Sequence, residues 1–476
     1  MLARKLPESP IAAPLSIALV TDWCPPRVGG IERHVAGLAH ALAKRGHAVH
    51  LFTTTPDASP IAGVTIHQIE TAMIGEVAAP NLWRVRELRA MLVDAGITLV
   101  HAHGMFSTLA IGSLLAAHGA GIPSVTTHHS LLRHSPTLPA AWITYRLFSR
   151  RATVVTAVSH AAADDARRAS GRTDVPILPN GLDREMWTRQ PAVRLPALAA
   201  TPVRAPAPMA TPVRLKADAT YPDAVTTYED AVATHGDAVP RGDAVATHGD
   251  AVAICGDAGV RSVRLQPDRD TDQPNRESDR PDRELDRDVL RVVSVMRLAS
   301  KKSPHDLIDA VPVVLTRAHR DVVFTIVGDG PERAHLEHQA RRLGVAPQVE
   351  FLGACAPTRV AEVLAQSHLF ALPSRREAFG IAVLEARAAG LPIVACASGG
   401  IPEVVEHGRH GLLVNTPQEF AGAIVTLITD DALRERCAAA SGDGLDTYGW
   451  DRVVDRHEIV YQQAMVAFGF NRGRGG

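Results

Sequence analysis

Apolar residues along the chain gather into short, nearly continuous runs separated by longer stretches with helical spacing. The first run is Leu15 to Thr21 (LSIALVT). A glycine-bearing loop follows it, then a helix pattern from Ile31 to Arg45 that Gly46 closes. Further runs lie at Ala48 to Thr53, Ile97 to His101, Ile122 to Thr126, Val154 to Val158 and Val175 to Leu178. Helix patterns from Phe106 to Ala117 and up to Ala169 sit between them. A second series starts at Leu290 to Val295 and repeats at Asp321 to Val327, Val349 to Leu352, Leu369 to Leu372 and Ile393 to Cys396. Its first helix pattern runs from Pro304 to Ala318. Runs that are continuous rather than alternating suit strands covered on both faces, as in parallel sheets. Strand–helix alternation therefore predicts α/β architecture: two Rossmann-like, doubly wound domains with ligands at the C-terminal ends of the strands.

Between the two series the periodicity stops. From Gln190 to Asp288 the chain is dominated by Pro, Ala, Asp, Arg, Thr and Gly. Thr201-Pro-Val-Arg204 recurs at Thr211 to Arg214, and Gly236 to Val239 recurs at Gly242 to Val245 and Gly249 to Val252. These repeats are too polar for a solenoid. The segment cannot bury enough apolar surface to fold, so it reads as a disordered insertion; a tether for a partner is the alternative. At the other end, Trp450 to Phe468 has an amphipathic pattern. That helix either stays on the second domain or returns to the first through Val453, Val454, Ile459, Val460 and Tyr461. The expected division is 15–188, an insertion at 189–288, 289–450, and a last helix at 451–470. Thr416-Pro417-Gln418-Glu419 reads as a capping box.

Composition narrows the function. With 50 basic and 51 acidic residues the net charge is −1, which gives no general attraction to nucleic acid. Basic residues are dense only locally, as at Arg84 to Arg86 and Arg150-Arg151. The cysteines (Cys24, Cys255, Cys355, Cys396, Cys437) are scattered without metal-ligand spacing, which suits a reducing cytosol. No apolar run is long enough for a transmembrane helix. The N-terminal apolar stretch is broken by Pro7, Glu8, Pro10 and Pro14 and does not read as a signal peptide.

The chemistry concentrates between Ser374 and Glu403. Gly380 to Ala389 suits a helix whose residues are apolar on several sides, yet it carries Glu385. A carboxylate placed there needs a partner, and ligand hydroxyls would serve. Glu377 precedes the helix, whose start at Ala378, Phe379, Gly380 and Ile381 offers N–H groups suited to phosphate. The other reading is a surface Glu and a snorkelling Glu on an ordinary helix. Arg297 and Lys302 lie in a loop past a strand end and offer cations to phosphate, with Lys301 as a possible substitute. Gly29 and Gly30 sit at a helix start, either for close backbone approach to a ligand or for a tight turn alone. His101, His103, His128 and His129 cluster at strand ends. They read as a metal site, as structural residues or as a site for sugar hydroxyls, and the lack of a carboxylate partner disfavours the metal.

These residues resemble the donor-binding signature of the retaining glycosyltransferases of family 4: a Glu-x7-Glu pair followed by G-G-x-P-E. The match falls at Glu377, Phe379, Gly380, Glu385, Ala389, Gly390, Pro392, Gly399, Gly400, Pro402 and Glu403. The resemblance implies two facing Rossmann-like domains (the GT-B architecture), the last helix commonly crossing back to the first, and a short linker where this chain has its insertion. It implies that Glu377 contacts the donor sugar and Glu385 the ribose. PPxxGGIExHV aligns Gly29 and Gly30 with the family's first glycine loop, toward donor phosphates or acceptor. Arg297, Leu298 and Lys302 match G-R-L-x-x-x-K-G, and Gly328-Asp329-Gly330-Pro331-Glu332 matches another family loop. His129 takes the family's histidine near donor sugar and acceptor, and His128 falls on a variable position. The expected mechanism is same-face attack, with no metal and no cofactor beyond the nucleotide diphosphate sugar as co-substrate. DWCPPRVGGIERHV, HAHGMFS and TTHHSLL resemble members that glycosylate phosphatidylinositol. That implies a lipid or glycan-precursor acceptor and peripheral contact with the inner membrane face. A sugar phosphorylase, a nucleotide-sugar epimerase or a degenerate binding protein are the competing readings.

Overall fold

The computed structural model describes residues 13–188 and 289–472, apart from Val28 and residues 71–72, 75–76, 79–83, 105–106 and 132–137. The insertion expected at 189–288 lies outside the described residues.

The chain first runs through β1 (Ser16–Thr21), α1 (Gly30–Lys44), β2 (Ala48–Thr53), β3 (Val64–Gln68) and a ribbon of β4 (Met73–Ile74) and β5 (Val77–Ala78). It continues with α2 (Val85–Asp94), β6 (Leu99–His103), α3 (Thr108–Ala120), β7 (Ser124–His128) and α4 (Leu138–Ser149). β8 (Val154–Ala157), α5 (His160–Ser170) and the one-turn α6 (Arg184–Trp187) end this half. The second half opens with β9 (Leu290–Val295), α7 (Pro304–Arg317), β10 (Val322–Val327), α8 (Arg333–Arg342), β11 (Val349–Gly353) and α9 (Pro357–Ala365). Then come β12 (Leu369–Leu372), α10 (Ile381–Ala388), β13 (Ile393–Cys396), α11 (Ile401–Val404) and β14 (Gly411–Val414). Helices α12 (Pro417–Thr429), α13 (Asp431–Ala440) and α14 (Trp450–Arg472) complete it.

Each half builds one six-stranded parallel sheet. The orders are β3-β2-β1-β6-β7-β8 and β11-β10-β9-β12-β13-β14. These are the same doubly wound order twice, as the two series of apolar runs predict. Strand progression reverses between β1 and β6 and again between β9 and β12. Loops leaving these strands diverge there and open a crevice for ligand. The central strands are covered on both faces: Ile17, Ala18, Leu19 and Val20 are each 0% exposed.

Two expectations need correction. Val175 to Leu178 is not a strand; it forms only an isolated bridge, Ala157 to Ile177. Pro176 sits in its middle and has no N–H to donate to a ladder. At α12 the Thr416 hydroxyl accepts from Glu419 N–H, but the Glu419 carboxylate reaches the N–H of Asn415 rather than that of the cap residue. Strands β6 and β7 each run two residues further than the apolar pattern, so His103 and His128 stand within strand ends.

The halves form one compact unit. The last helix, α14, packs along α1 of the first half. Val454, Val460, Tyr461 and Ala464 share a core with Val35, Leu38 and Leu42 of α1 and with Ile17 and Leu19 of β1. Ile459 is only partly buried. The Trp450 indole fills a slot between Gly37 and Gly181. A Cβ at Gly37 would come within 2.2 Å of the ring, and one at Gly181 within 2.4 Å. His34 stacks on the same ring at 5.8 Å. The backbone adds to the crossing, since Leu182 N–H donates to Tyr448 carbonyl at 2.8 Å. Deeper in, the Tyr461 hydroxyl lies 2.9 Å from His101 Nδ1, and His101 Nε2 lies 2.7 Å from the Thr127 hydroxyl. Tyr461→Phe leaves that ring nitrogen without its partner inside the core, so the loss should reach about 1–3 kcal/mol. Urea denaturation followed by circular dichroism measures it; an unchanged midpoint would remove the hydroxyl from the account of how α14 is held.

Candidate active site

Glu377 sits in the loop between β12 and α10. The loop is held by its neighbour: Gly400 N–H donates to the Glu377 carbonyl at 2.9 Å. A Cβ on Gly399 would stand 1.9 Å from that same carbonyl, and Gly399 has a φ of 61°. Gly380, with a φ of 92°, ends the loop and begins α10, and no side chain caps the helix. The Glu377 carboxylate pairs with Lys302 Nζ at 2.5 Å, both groups being mostly buried. Lys302 comes from the loop after β9, so the switch point of the second sheet brings these two together. Arg297 is exposed in the same loop. Gly328 packs under that loop. Its φ is 131°, and a Cβ there would meet the Met296 carbonyl at 1.9 Å. Gly328 thus shapes the β9 loop from beneath.

Glu385 points the other way, into the seam between the halves. Its carboxylate meets Arg33 of α1, with Nη2 to Oε1 at 2.7 Å, and its side chain is 3% exposed. Burial pushes the Glu385 carboxyl up to about 7 even though the Arg33 guanidinium pulls it the other way. Other contacts close the same seam. Ser159 Oγ donates to the Ala378 carbonyl. The Glu403 carboxylate accepts from the N–H groups of His160 and Ala161 at 2.9 and 3.3 Å, at the start of α5. A carboxylate suits a helix N-terminus. Gly30 faces Ile381 closely enough that an added Cβ would stand 3.4 Å from it. Gly29 precedes α1 in extended backbone, and the Glu32 carboxylate folds over it. Phe379 is buried, edge-on to Tyr448 at 5.7 Å.

Across the crevice stand the histidines. His103 Nδ1 and His129 Nε2 are 3.0 Å apart. His129 is partly exposed, and Leu131, two residues on, lies 3.1 Å from where a Gly399 Cβ would be. Nitrogens of His34, His103 and His129 lie within 4.8 Å of one another, close enough for a three-histidine metal centre. The hydrogen bonds oppose that use. Gly181 N–H donates to His34 Nδ1 at 3.3 Å, so neutral His34 carries its proton on Nε2. Either His103 or His129 must also hold a proton between them. A cation would need these protons moved, and the group contains no carboxylate. His101 and His128 are buried within the sheet.

The first half has its own opening at the strand ends. A groove between α2 and α3 is lined by Thr54, Ile69, Leu88, Met91 and Leu109, with Arg84 at the side. Beside it, the Asp22 carboxyl at the end of β1 is buried, and burial raises its pKa against hydrogen bonds from Ser107 and the Leu109 N–H. Its Oδ1 has no protein partner.

Two family models match the chain. One, described as Glycosyltransferase Family 4, covers residues 28–186, and the other, described as Glycosyl transferases group 1, covers 275–442. The chain is a family 4 glycosyltransferase of GT-B architecture. A phosphatidylinositol N-acetylglucosaminyltransferase chain from Arabidopsis thaliana is 24% identical, over 95% of this chain and 82% of that one. A D-inositol 3-phosphate glycosyltransferase from Rhodococcus erythropolis is 33% identical, over 39% of this chain and 43% of that one. Among solved structures, Anabaena HepE in complex with UDP and glucose superimposes with a TM-score of 0.62 at 20% identity, covering 94% of this chain and 99% of that one.

In this glycosyltransferase the Glu-x7-Glu pair lies on one element, the loop and helix from Glu377 to Glu385. Short motifs contain Asp22, Arg33, His34 and Glu403, but the partner of each, like the slot that takes Trp450, is distant in the chain and escapes such a reading. For Asp22 alone there is a local signal: a carboxylate directly after an apolar strand. Among the described residues no helix is long and apolar enough to cross a membrane.

The buried histidines make the glycosyltransferase sensitive to acid. Burial lowers the pKa of His34, His101 and His103, and takes His128 and His457 down to about 4. Unfolded histidines bind protons below about 6.5, and these folded ones do not. Stability from this source is therefore complete above pH 6.5 and lost as pH falls toward 4. Glu385 acts with the opposite sign between its ordinary value and about 7, but it is one group against several. The thermal midpoint should drop steeply from pH 6.5 to 5 and change little from 7 to 8. A flat midpoint down to pH 5 would mean that these rings protonate in place.

Proposed function

We propose that the enzyme moves a sugar from a nucleoside diphosphate sugar to a hydroxyl of an inositol-bearing acceptor, with retention at the anomeric carbon. The observation that carries this reading is the placement of Glu377, Lys302 and Glu385 around the start of α10. A carboxylate for sugar hydroxyls and a buried carboxylate for ribose stand on one short element, and a cation for phosphate reaches it from the loop after β9. In this reading 15–188 is the acceptor half, 289–450 the donor half, 189–288 an insertion and 451–470 the returning helix.

The donor's bond from anomeric carbon to phosphate oxygen breaks while the acceptor oxygen bonds to that carbon from the same face. The acceptor's proton passes to the leaving diphosphate. Arg297, Lys302 and the N–H groups from Ala378 to Ile381 offset the charge that develops there. Lys302 is shared: a phosphate must draw it away from Glu377, which frees that carboxylate for the sugar. Gly29 and Gly30 keep the facing loop low enough to admit the diphosphate. His129 meets the sugar and acceptor as a neutral imidazole, since burial lowers its pKa. Support for the acceptor comes from the names of two relatives, which both carry inositol. The groove beside Asp22 and Arg84 offers apolar walls and hydrogen-bonding groups for such a molecule. A lipid form would place the enzyme on the cytoplasmic face of a membrane.

A panel of nucleoside diphosphate sugars scored by thermal shift should single out one donor that stabilises the wild type and not Glu385→Ala. With that donor, His129→Ala should lower kcat by about 10²–10⁴-fold. Glu377→Ala should lower kcat/KM by about 10²-fold or more. Transfer to inositol phosphates and to phosphatidylinositol vesicles, read by NMR of the product's anomeric proton, tests acceptor and retention together. Stabilisation by no donor, or an inverted product, would overturn the reading.

A further inference from the structure

The Arg33–Glu385 contact is half-made. One guanidinium nitrogen meets one carboxylate oxygen at 2.7 Å. Arg33 Nε and Glu385 Oε2 are both buried and have no hydrogen-bond partner. A buried ion pair that leaves a donor and an acceptor open is costly unless something else fills them. The guanidinium also lies over the Trp187 ring at 5.6 Å, so α6 backs it as well as α1. The other charged groups on neighbouring elements are engaged or turned away. Glu403 of α11 caps α5, Arg184 of α6 pairs with Asp446, and Glu185 is exposed.

An open carboxylate oxygen accepts a hydroxyl proton, and an open guanidinium N–H donates to a hydroxyl oxygen. A hydroxyl both donates and accepts, so one lying between the two atoms, or two adjacent ones with one on each, would satisfy both. We propose that Arg33 is a positioning residue of the donor site, and that Arg33 and Glu385 together form a receptor for the cis-diol of the donor ribose. This inference rests on the reading of Glu385 as the ribose contact given above. The receptor is complete only while the halves are closed, because each half supplies one member. Arg33 therefore links recognition of the ribose to closure of the crevice.

The test compares UDP, GDP and ADP with their 2′-deoxy forms by isothermal titration, on the full-length wild type, Arg33→Ala, Arg33→Lys and Glu385→Gln. The ratio of ribo to deoxyribo affinity is internal to each variant, so a general loss of stability does not mimic the effect. The wild type should favour the ribonucleotide by about tenfold or more, as the loss of a hydrogen bond to a charged group implies. Arg33→Ala should lose most of that preference, and Arg33→Lys should regain part of it by restoring a donor. Tighter binding of every nucleotide by Arg33→Ala would overturn the inference, since Arg33 would then compete with ligand for the carboxylate. A wild-type ratio in Arg33→Ala, with the ratio lost in Glu385→Gln, would overturn it too and leave the donor site standing. A ratio unchanged in Glu385→Gln, or no nucleotide bound by the wild type, would instead sink the reading of Glu385 on which it rests.

Discussion

A carboxylate with its side chain 3% exposed cannot stand unpaired, and this one takes its partner from the opposite half of the molecule. Much follows from that constraint. Helix α10 must lie at the seam and not on the far side of its sheet, with its N-terminal end toward α1. The loop before it must then turn sharply, which glycine at 380 and 399 permits through left-handed backbone. The Glu403 carboxylate and the Ala378 carbonyl complete the register by taking N–H and O–H groups from the start of α5 and from Ser159. Each half thus places charges and dipoles that only the other can satisfy.

The two carboxylates near the start of α10 have opposite characters. Glu377 pairs with a lysine of its own half near the surface of the crevice. Glu385 is driven toward neutrality by burial, which the Arg33 guanidinium only partly opposes. Two copies of one residue type, eight positions apart, are made suitable for different tasks by surroundings alone. In the proposed reaction the first exchanges partners when phosphate arrives. The second stays buried and is fixed in place.

Much of the architecture was legible in the chain. Continuous apolar runs such as LSIALVT and LRVVSV marked central strands because both their faces are covered. The tension between Glu385 and its apolar neighbours marked a site because buried charge is rare without cause. Other features were not legible. Arg33 looks like an ordinary exposed position on an amphipathic helix, and nothing near it in sequence betrays a partner in the other half. Val175 to Leu178 has strand composition, but Pro176 denies it a ladder. Trp450 could be placed on a helix, while its slot depends on Gly37 and Gly181, which meet only in three dimensions. Period and composition report local environment; pairings across a seam are set by topology.

The way α14 returns has a consequence for the chain's continuity. The halves are joined once through residues 189–288 and again where Trp450 enters its slot and Tyr461 reaches His101. The seam, the slot and the shared core are all made from residues on either side of the insertion. Closing a longer connection adds only about 0.6 kcal/mol per doubling of its length. A long connection between the halves therefore costs little on this account, because the seam itself holds them together. A polypeptide ending near Thr188 and another starting near Val289 carry between them the described contacts across the seam.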